Sequence, residues 1–284
     1  MSNITDRNCV VFMSDFGLVD SAVSAMHGVA DSVSRKLKIE DLTHEIPPFN
    51  IWEASYRLIQ AVSYWAPGTV FVCVIDPGVG SNRKSVVVKT KSGHFIVTPD
   101  NGTLTHVSKK IGIVERREIS EKINRLEGSS ESYTFHGRDV YAYTGAKLAA
   151  GIISFEEVGD LLDNQVVELD FQMPKTKDNS IVGSIDILDI RYGSPWTNIP
   201  YSLLTKNGIK YGDTINVTIS YQEIIVYGYN VIFGRSFTEV KQGEDLAYIN
   251  SLLNLAFAIN QGSFSKTYQI GTGEGWTVSL NKVN

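Results

Sequence analysis

Through its first half the chain alternates short apolar runs with longer amphipathic ones. Cys9-Val10-Val11-Phe12-Met13 reads as a buried strand stopped by Ser14-Asp15-Phe16-Gly17, and Ile39-Glu40-Asp41-Leu42 as a short second strand closed by Thr43-His44-Glu45-Ile46-Pro47-Pro48. Between them, Ala22 to Ser34 carries small and apolar residues at mixed helical spacing. From Ile51, residues Ala54, Leu58, Ala61, Val62 and Trp65 line one face of a predicted helix that Pro67-Gly68 ends. Strands are predicted at 69–75, 85–90 and 94–98, the last closed by Thr98-Pro99-Asp100-Asn101-Gly102. A further helix opens after His136-Gly137-Arg138-Asp139 and carries Val140, Tyr143, Lys147, Leu148 and Ala150. Strands interleaved with helices predict a three-layer α/β domain.

The pattern changes after Leu161 to Phe171. Gln172 to Ser180 is polar and contains Pro174, which makes it the best linker in the chain and sets the predicted domains at 1–172 and 180–284. Short alternating strands follow at Ile181 to Ile190, Thr214 to Ser220, Ile224 to Tyr227, Val231 to Phe233 and Thr277 to Leu280. Their spacing and Gly/Asn turns suit a small β-barrel or a sandwich. Only Leu246 to Ile259 reads as helical in this half.

Composition removes several classes of function. Twenty-six basic against thirty-one acidic side chains leave a net charge of −5, with no basic run longer than Lys109-Lys110 or Arg116-Arg117, so no nucleic-acid footprint is present. No apolar stretch approaches membrane-spanning length and the N-terminus lacks a signal pattern, so a cytoplasmic protein with no membrane partner is expected. Cys9 and Cys73 both sit in apolar strand-like runs and read as core thiols.

Four polar clusters fall where loops leave predicted strands or enter helices: Asp15 with Asp20, Asp76 to Arg83, Asp100-Asn101-Gly102, and His136 to Asp139. Ligands of open α/β sheets bind beyond the carboxyl ends of strands, so these clusters can converge on one pocket. Asp76 follows the apolar run Val70 to Ile75 and turns on Pro77, Gly78 and Gly80 toward Arg83. As residue types, Asp, Arg and His held together can bind a water and draw off its proton. Read alone, Asp76 is equally a turn-capping residue, Arg83 a solvated one and His136 a hydrogen-bonded one. Pro77 to Ser81 lacks the length and the Lys-Ser/Thr ending of a phosphate loop. His27, His44, His94 and His106 show no metal-ligand spacing, and no metal is assigned. Asp189 to Ile199 gathers a carboxylate, Tyr192, Trp196 and Asn198 around a turn, either as packed aromatics or as a platform for a flat base and a cation.

Taken together, Ser14-Asp15-Phe16-Gly17-x-x-Asp20, Thr43 to Pro48, Asp76-Pro77-Gly78-Val79-Gly80-Ser81-x-Arg83, Pro99 to Gly102, Thr134 to Asp139 and Trp196 to Ile199 stand in an order that resembles the S-adenosyl-L-methionine (SAM) hydrolases. These enzymes are also called SAM hydroxide adenosyltransferases and are related to the fluorinases and chlorinases. The resemblance implies an α/β N-terminal three-layer domain plus a C-terminal all-β barrel domain. It also implies a homotrimer with inter-subunit active sites, a small-molecule substrate and no cofactor besides SAM itself. The implied reaction is displacement at ribose C5′ by water, giving adenosine and L-methionine. The family's water-activating trio falls on Asp76, Arg83 and His136. Asp15 matches the carboxylate on the ribose hydroxyls, while Asp20 and Asp189 match groups near the methionine ammonium. Phe49, Tyr192, Trp196 and Phe237 fall at or near aromatic positions around the nucleoside; Tyr248, Ser251 and Asn260 lie on the segment implied to touch methionine or adenine.

Departures from the relatives sharpen the implication. Halogenating members have Tyr where His136 stands and replace the Asp76 carboxylate, and the fluorinase has Ser at Gly137 and an insertion absent between Thr90 and His94 here. Water is thus favoured over halide. Ser194 replaces an Asn that often contacts adenine, Leu252 replaces an Arg near the methionine carboxylate, and Ala22 replaces a Ser. The Ser194 and Leu252 changes keep a SAM- or adenosine-binding protein without turnover as the alternative, and a SAM-dependent halogenase as the third reading.

Overall fold

In the computed structural model, which describes residues 8–283, the apolar runs of the first half form one sheet. Its strands are β1 (Cys9–Ser14), β2 (Lys38–Thr43), β3 (Val70–Val74), β4 (Ser85–Thr90), β5 (Phe95–Pro99), β6 (Ile113–Glu118) and β7 (Leu161–Leu162), in the order β2-β1-β3-β5-β4-β6-β7. The first four run parallel and the last three antiparallel. Every residue of β3 is buried, as a central strand covered on both faces requires. Helices α1 (Ala22–Val33), α2 (Ile51–Val62), α3 (Thr105–Lys110), α4 (Glu121–Asn124) and α5 (Tyr143–Ala149) supply the outer layers. Val10, Phe12, Val70 and Val72 pack with Met26, Ala30, Ala146 and Leu148 on one face. Val11, Met13, Phe71 and Cys73 pack with Ala54, Leu58, Leu104 and Val107 on the other.

Several short elements here were not predicted, α3, β6, α4 and β7 among them. Thr105–Lys110 is too short for a helical period to register, and β6 alternates Ile113, Glu115 and Arg117 with Val114, Arg116 and Glu118, so its polar residues hide a strand.

The second unit begins at Asp170. Its strands are β8 (Lys175–Lys177), β9 (Ser180–Leu188), β10 (Pro195–Pro200), β11 (Thr214–Tyr221), β12 (Ile224–Phe233), β13 (Asp245–Ile249), β14 (Asn254–Ile259) and β15 (Trp276–Lys282). The order β10-β14-β13-β12-β11-β15-β9 closes through a β9–β10 pairing, giving a seven-stranded barrel with β8 added outside on β9. Ile185, Val217, Phe233, Leu255, Phe257 and Phe264 fill it. Closure leaves the ring no free edge and resolves the choice between barrel and sandwich.

Two expectations are corrected and one strand is added. Leu246 to Ile259 is not a helix but the antiparallel pair β13–β14. Asn250 explains it: its side-chain oxygen accepts from Leu252 N at 2.9 Å and Asn254 N at 3.1 Å, a local turn that competes with helix, and Leu253 turns with φ +59°. The turn read within Asp189 to Ile199 is present, with Gly193 N donating to Asp189 O at 2.7 Å, but the residues after it from Pro195, unpredicted as a strand, form β10. The polar stretch ending at Ser180 contains β8 and the hairpin turn Asp178-Asn179, both turn residues with positive φ, so everything from Lys175 on pairs with the barrel strand β9. Short helices α6 (Tyr201–Lys206) and α7 (Phe264–Tyr268) complete the unit.

Gly145 sets the distance between α5 and β3, since a Cβ there would lie 2.4 Å from Val72 Cγ2. Gly145→Ala is expected to destabilise the protein by about 1–3 kcal/mol in denaturant unfolding, because a packed strand must move to admit one methyl. An unchanged midpoint would show that α5 is free to shift.

Candidate active site

Parallel strands deliver their carboxyl ends to one edge of the first sheet, and the candidate chemistry sits there. Asp15 follows β1, Asp76 follows β3 by way of Ile75, and Phe135-His136 enters the π-helical turn Gly137–Ala142 ahead of α5. Asp15, Phe16, Phe49, Asp76, Val79, Phe135, His136 and Gly137 are among the residues lining a recess of about 220 Å³. Gly137 has to be small, as a Cβ would stand 3.2 Å from Phe16 and Val74.

At the recess Asp76 and Arg83 form a buried ion pair, their side chains 6% and 11% exposed. Arg83 Nε donates to Asp76 Oδ1 at 2.9 Å and its terminal nitrogen Nη2 to Oδ2 at 2.5 Å. Nη2 also donates to His136 Nδ1 at 3.0 Å, and Nη1 to Ser85 Oγ at 3.0 Å. A guanidinium has only donors, so His136 Nδ1 must be the accepting nitrogen. In the neutral ring the proton then sits on Nε2, which is buried and has no protein partner. Burial holds His136 below its ordinary pKa, and the neighbouring Arg83 charge acts in the same direction. Burial alone would lower the Arg83 pKa, but the hydrogen bonds to Asp76 and the nearby Tyr141, Asp76 and Glu121 charges together raise it.

Two residues that sequence reasoning missed brace this junction. Tyr141, fully buried, shares a 3.0 Å hydrogen bond with Ser85 Oγ and places its hydroxyl 3.4 Å from Asp76 Oδ2, with the Arg83 guanidinium 5.7 Å from its ring centre. Burial and the Asp76 carboxylate push the Tyr141 phenol well up, so it stays a donor. Five residues separate Tyr141 from His136, about 140° apart on a regular helix. The wider π turn brings them to one face, which a reading at 3.6 residues per turn hides.

Asp15 reaches the recess differently. Its Oδ2 accepts from Phe49 N at 2.9 Å, holding Phe49, 71% exposed, at φ +67°. A left-handed aromatic residue costs on the order of 1–3 kcal/mol, so this contact fixes a strained rim. Asp20 lies outside the recess and accepts from Ala22 N at 2.8 Å at the start of α1. The Asp100 cluster does not join it either: Asp100 Oδ2 takes Arg116 at 2.5 Å, while Asn101 donates to Ile75 O at 2.8 Å and steadies the strand end beside Asp76. Arg138 pairs with buried Asp139 at 2.6 Å.

The remaining predicted residues lie on the barrel. Trp196 Nε1 donates to Tyr248 OH at 3.1 Å, the Phe237 and Tyr248 rings are 5.0 Å apart, and Ser194 also hydrogen-bonds Tyr248. Asp189 Oδ1 accepts from Arg191 N and Tyr192 N, leaving the Tyr192 ring exposed. Ser251 is exposed in the β13–β14 turn, and Asn260 donates to Val240 O at 2.9 Å.

An acid, a guanidinium and an imidazole meeting beside a recess at strand ends, followed in the chain by a closed barrel, define an α/β enzyme with a small polar site. The SAM hydroxide adenosyltransferase N-terminal domain matches residues 10–159 and the corresponding C-terminal domain matches residues 183–277; the chain belongs to this family. It is 39% identical over 236 residues to the (R)-S-adenosyl-L-methionine hydrolase of Methanocaldococcus jannaschii, covering 82% of this chain and 81% of that protein. A fluorinase of Nocardia brasiliensis is 28% identical, with 94% of this chain and 95% of that one covered. Among solved structures, an uncharacterized conserved protein from Thermotoga maritima superposes with a TM-score of 0.88 at 32% identity, covering 96% of this chain and 99% of that one.

Arg83→Met strands a buried carboxylate and is expected to cost about 3–5 kcal/mol of stability. The double variant Arg83→Met/Asp76→Leu removes both charges and should recover most of that loss in denaturant unfolding. Equal losses in the two proteins would show that the pair is not buried as described.

Proposed function

We propose that this protein hydrolyses SAM to adenosine and L-methionine. His136 carries the proposal: a neutral imidazole, its Nδ1 occupied by Arg83 and its buried Nε2 without a protein partner, lines the recess together with Asp76. A water there accepts from Nε2–H and donates to the Asp76 carboxylate, which aims its remaining lone pair at ribose C5′. The new O–C5′ bond forms as the C5′–S bond breaks; its electron pair goes to sulfur, which leaves as the neutral thioether of methionine. The water's proton passes to Asp76 and on to solvent. His136 orients and Asp76 accepts the proton, a division of labour that a generic Asp/His pair would not specify. Names carried by relatives from Methanocaldococcus jannaschii and Thermus thermophilus support this reading.

The recess of about 220 Å³ is smaller than the about 300–1,000 Å³ of most ligand clefts, which favours completion by another surface. In our reading that surface is the barrel of a neighbouring copy in a homotrimer. The Trp196, Phe237 and Tyr248 cluster would stack the adenine, while Asp189 would meet the methionine ammonium and Asp15 the ribose. Residues 1–172 and 180–284 then act as separate domains, and no cofactor is required. The fluorinase relative favours a second reading, halide attack. A carboxylate facing the recess would repel an incoming anion, which argues for water.

Purified protein incubated with SAM, with and without chloride, should release adenosine and methionine in both cases on chromatography. Chloride-dependent 5′-chloro-5′-deoxyadenosine would support the halogenase, and bound but intact SAM the binding protein. Asp76→Ala and His136→Ala are expected to abolish hydrolysis while much of the SAM binding survives; full activity in either would sink the mechanism.

Acid should act through His136. Its pKa lies below the ordinary 6.5, so the neutral ring persists as pH falls through 6.5 and is lost only below it. The acid limb of kcat/KM is expected below pH 6.5. A limb centred at or above 6.5 would contradict a buried, Arg83-facing imidazole.

A further inference from the structure

His27 on α1 and Asp41 and His44 at the end of β2 form a second cluster of ligand-type side chains that the proposed chemistry does not use. His27 Nε2 lies 2.8 Å and His44 Nε2 2.9 Å from the same oxygen, Asp41 Oδ1, and all three ligand atoms fall within 4.8 Å of one another. It is the one such group among the described residues. Sequence spacing conceals it, because the first ligand comes from a helix and the other two from a strand end and the residue after it. As drawn, two imidazoles share one acceptor. With both Nε2 atoms deprotonated, the same atoms are three metal ligands of the kind borderline divalent ions prefer.

Three features favour an ion over a plain hydrogen-bonded trio. The two N···O edges, 2.8 and 2.9 Å, are a few tenths shorter than the about 3.3 Å edge of a tetrahedron with zinc bonds of about 2.0–2.1 Å. A small opening therefore seats the ion without moving the backbone. His44 is already oriented: its side chain is 1% exposed, and Nδ1 lies 2.6 Å from the hydroxyl of fully buried Ser14. That oxygen can accept Nδ1–H, which fixes the tautomer that frees Nε2, the arrangement of outer-shell partners around metal-bound histidines. The His27 and Asp41 side chains are 33% and 39% exposed, giving an entry path and a fourth position open to solvent.

We infer that His27, Asp41 and His44 bind one divalent ion of the zinc class, with solvent as the fourth ligand. The ion ties α1 to β2, and through Ser14 and the His44 carbonyl, which accepts from Gly17 N at 2.8 Å, it stiffens the loop carrying Asp15. It clasps the structure and takes no part in the reaction.

The test uses the full-length, tag-free chain, stripped with chelator and dialysed. Titration with ZnCl2 by calorimetry should show one equivalent bound with a raised Tm, and CoCl2 should give the visible absorption of four-coordinate cobalt. MgCl2 should do neither. His27→Ala and Asp41→Asn change half-exposed positions and should leave the circular dichroism unaltered while saturable zinc binding disappears; Ser14→Ala should weaken binding by about 10–100-fold. No saturable zinc binding in the parent would overturn the inference. So would one-equivalent binding that persists in both His27→Ala and Asp41→Asn.

Discussion

The buried Asp76–Arg83 pair is the interaction on which the candidate site depends. Neither charge could lie at the end of a fully buried strand alone, since desolvating an unpaired ion costs several kcal/mol. Together they are tolerable because almost every guanidinium donor is used: Nε and Nη2 on the carboxylate, Nη1 on Ser85, Nη2 again on His136. The pair does more than neutralise itself. By filling Nδ1 of His136 with a donor, it decides which ring nitrogen keeps a proton, and so makes the buried Nε2 an N–H donor. Tyr141, held as a phenol by burial, closes the circuit between Ser85 and Asp76.

Sequence patterning carried the layered architecture because a buried parallel strand is an unbroken apolar run: Val10 to Met13 and Val70 to Ile75 can be little else. It failed where polar residues lie in strands or apolar ones cross a turn. Four of the six residues of β6 are charged, with Arg116 occupied by Asp100 and Asp163. β13 and β14 together read as one helix because nothing in their apolar spacing reveals that Asn250 will fold the chain back on itself. The trio at the recess was legible as residue types beside turns, whereas its geometry was not. Residues 76 and 83 meet across a tight turn, but His136 and Tyr141 arrive together only through a π turn.

Position along a strand also explains which acidic residues serve the recess. Asp15 and Asp76 leave adjacent parallel strands, so their side chains can face one hollow. Asp100 leaves the next parallel strand but is captured by Arg116 from β6, a strand that exists only because the sheet continues antiparallel past β5. The antiparallel extension thus removes one carboxylate from the site and leaves Asn101, a neutral donor, to fix the backbone of Ile75.

Charge balance at the junction bears on the nucleophile. Arg83 and Asp76 cancel at short range and burial favours the neutral form of His136, so in the proposed mechanism a water would meet one N–H donor and one carboxylate acceptor with little net field. Water satisfies both groups at once, accepting from the first and donating to the second. A halide can only accept, which would leave the carboxylate facing an anion in a poorly solvated space and cost the buried pair its compensation. The leaving group makes mild activation sufficient, since a sulfonium departs without gaining negative charge and the main requirement is an oriented lone pair. An enzyme that needed a free hydroxide would need a stronger base than a carboxylate already bound to Arg83; one that needs only a positioned water is served by this arrangement as it stands.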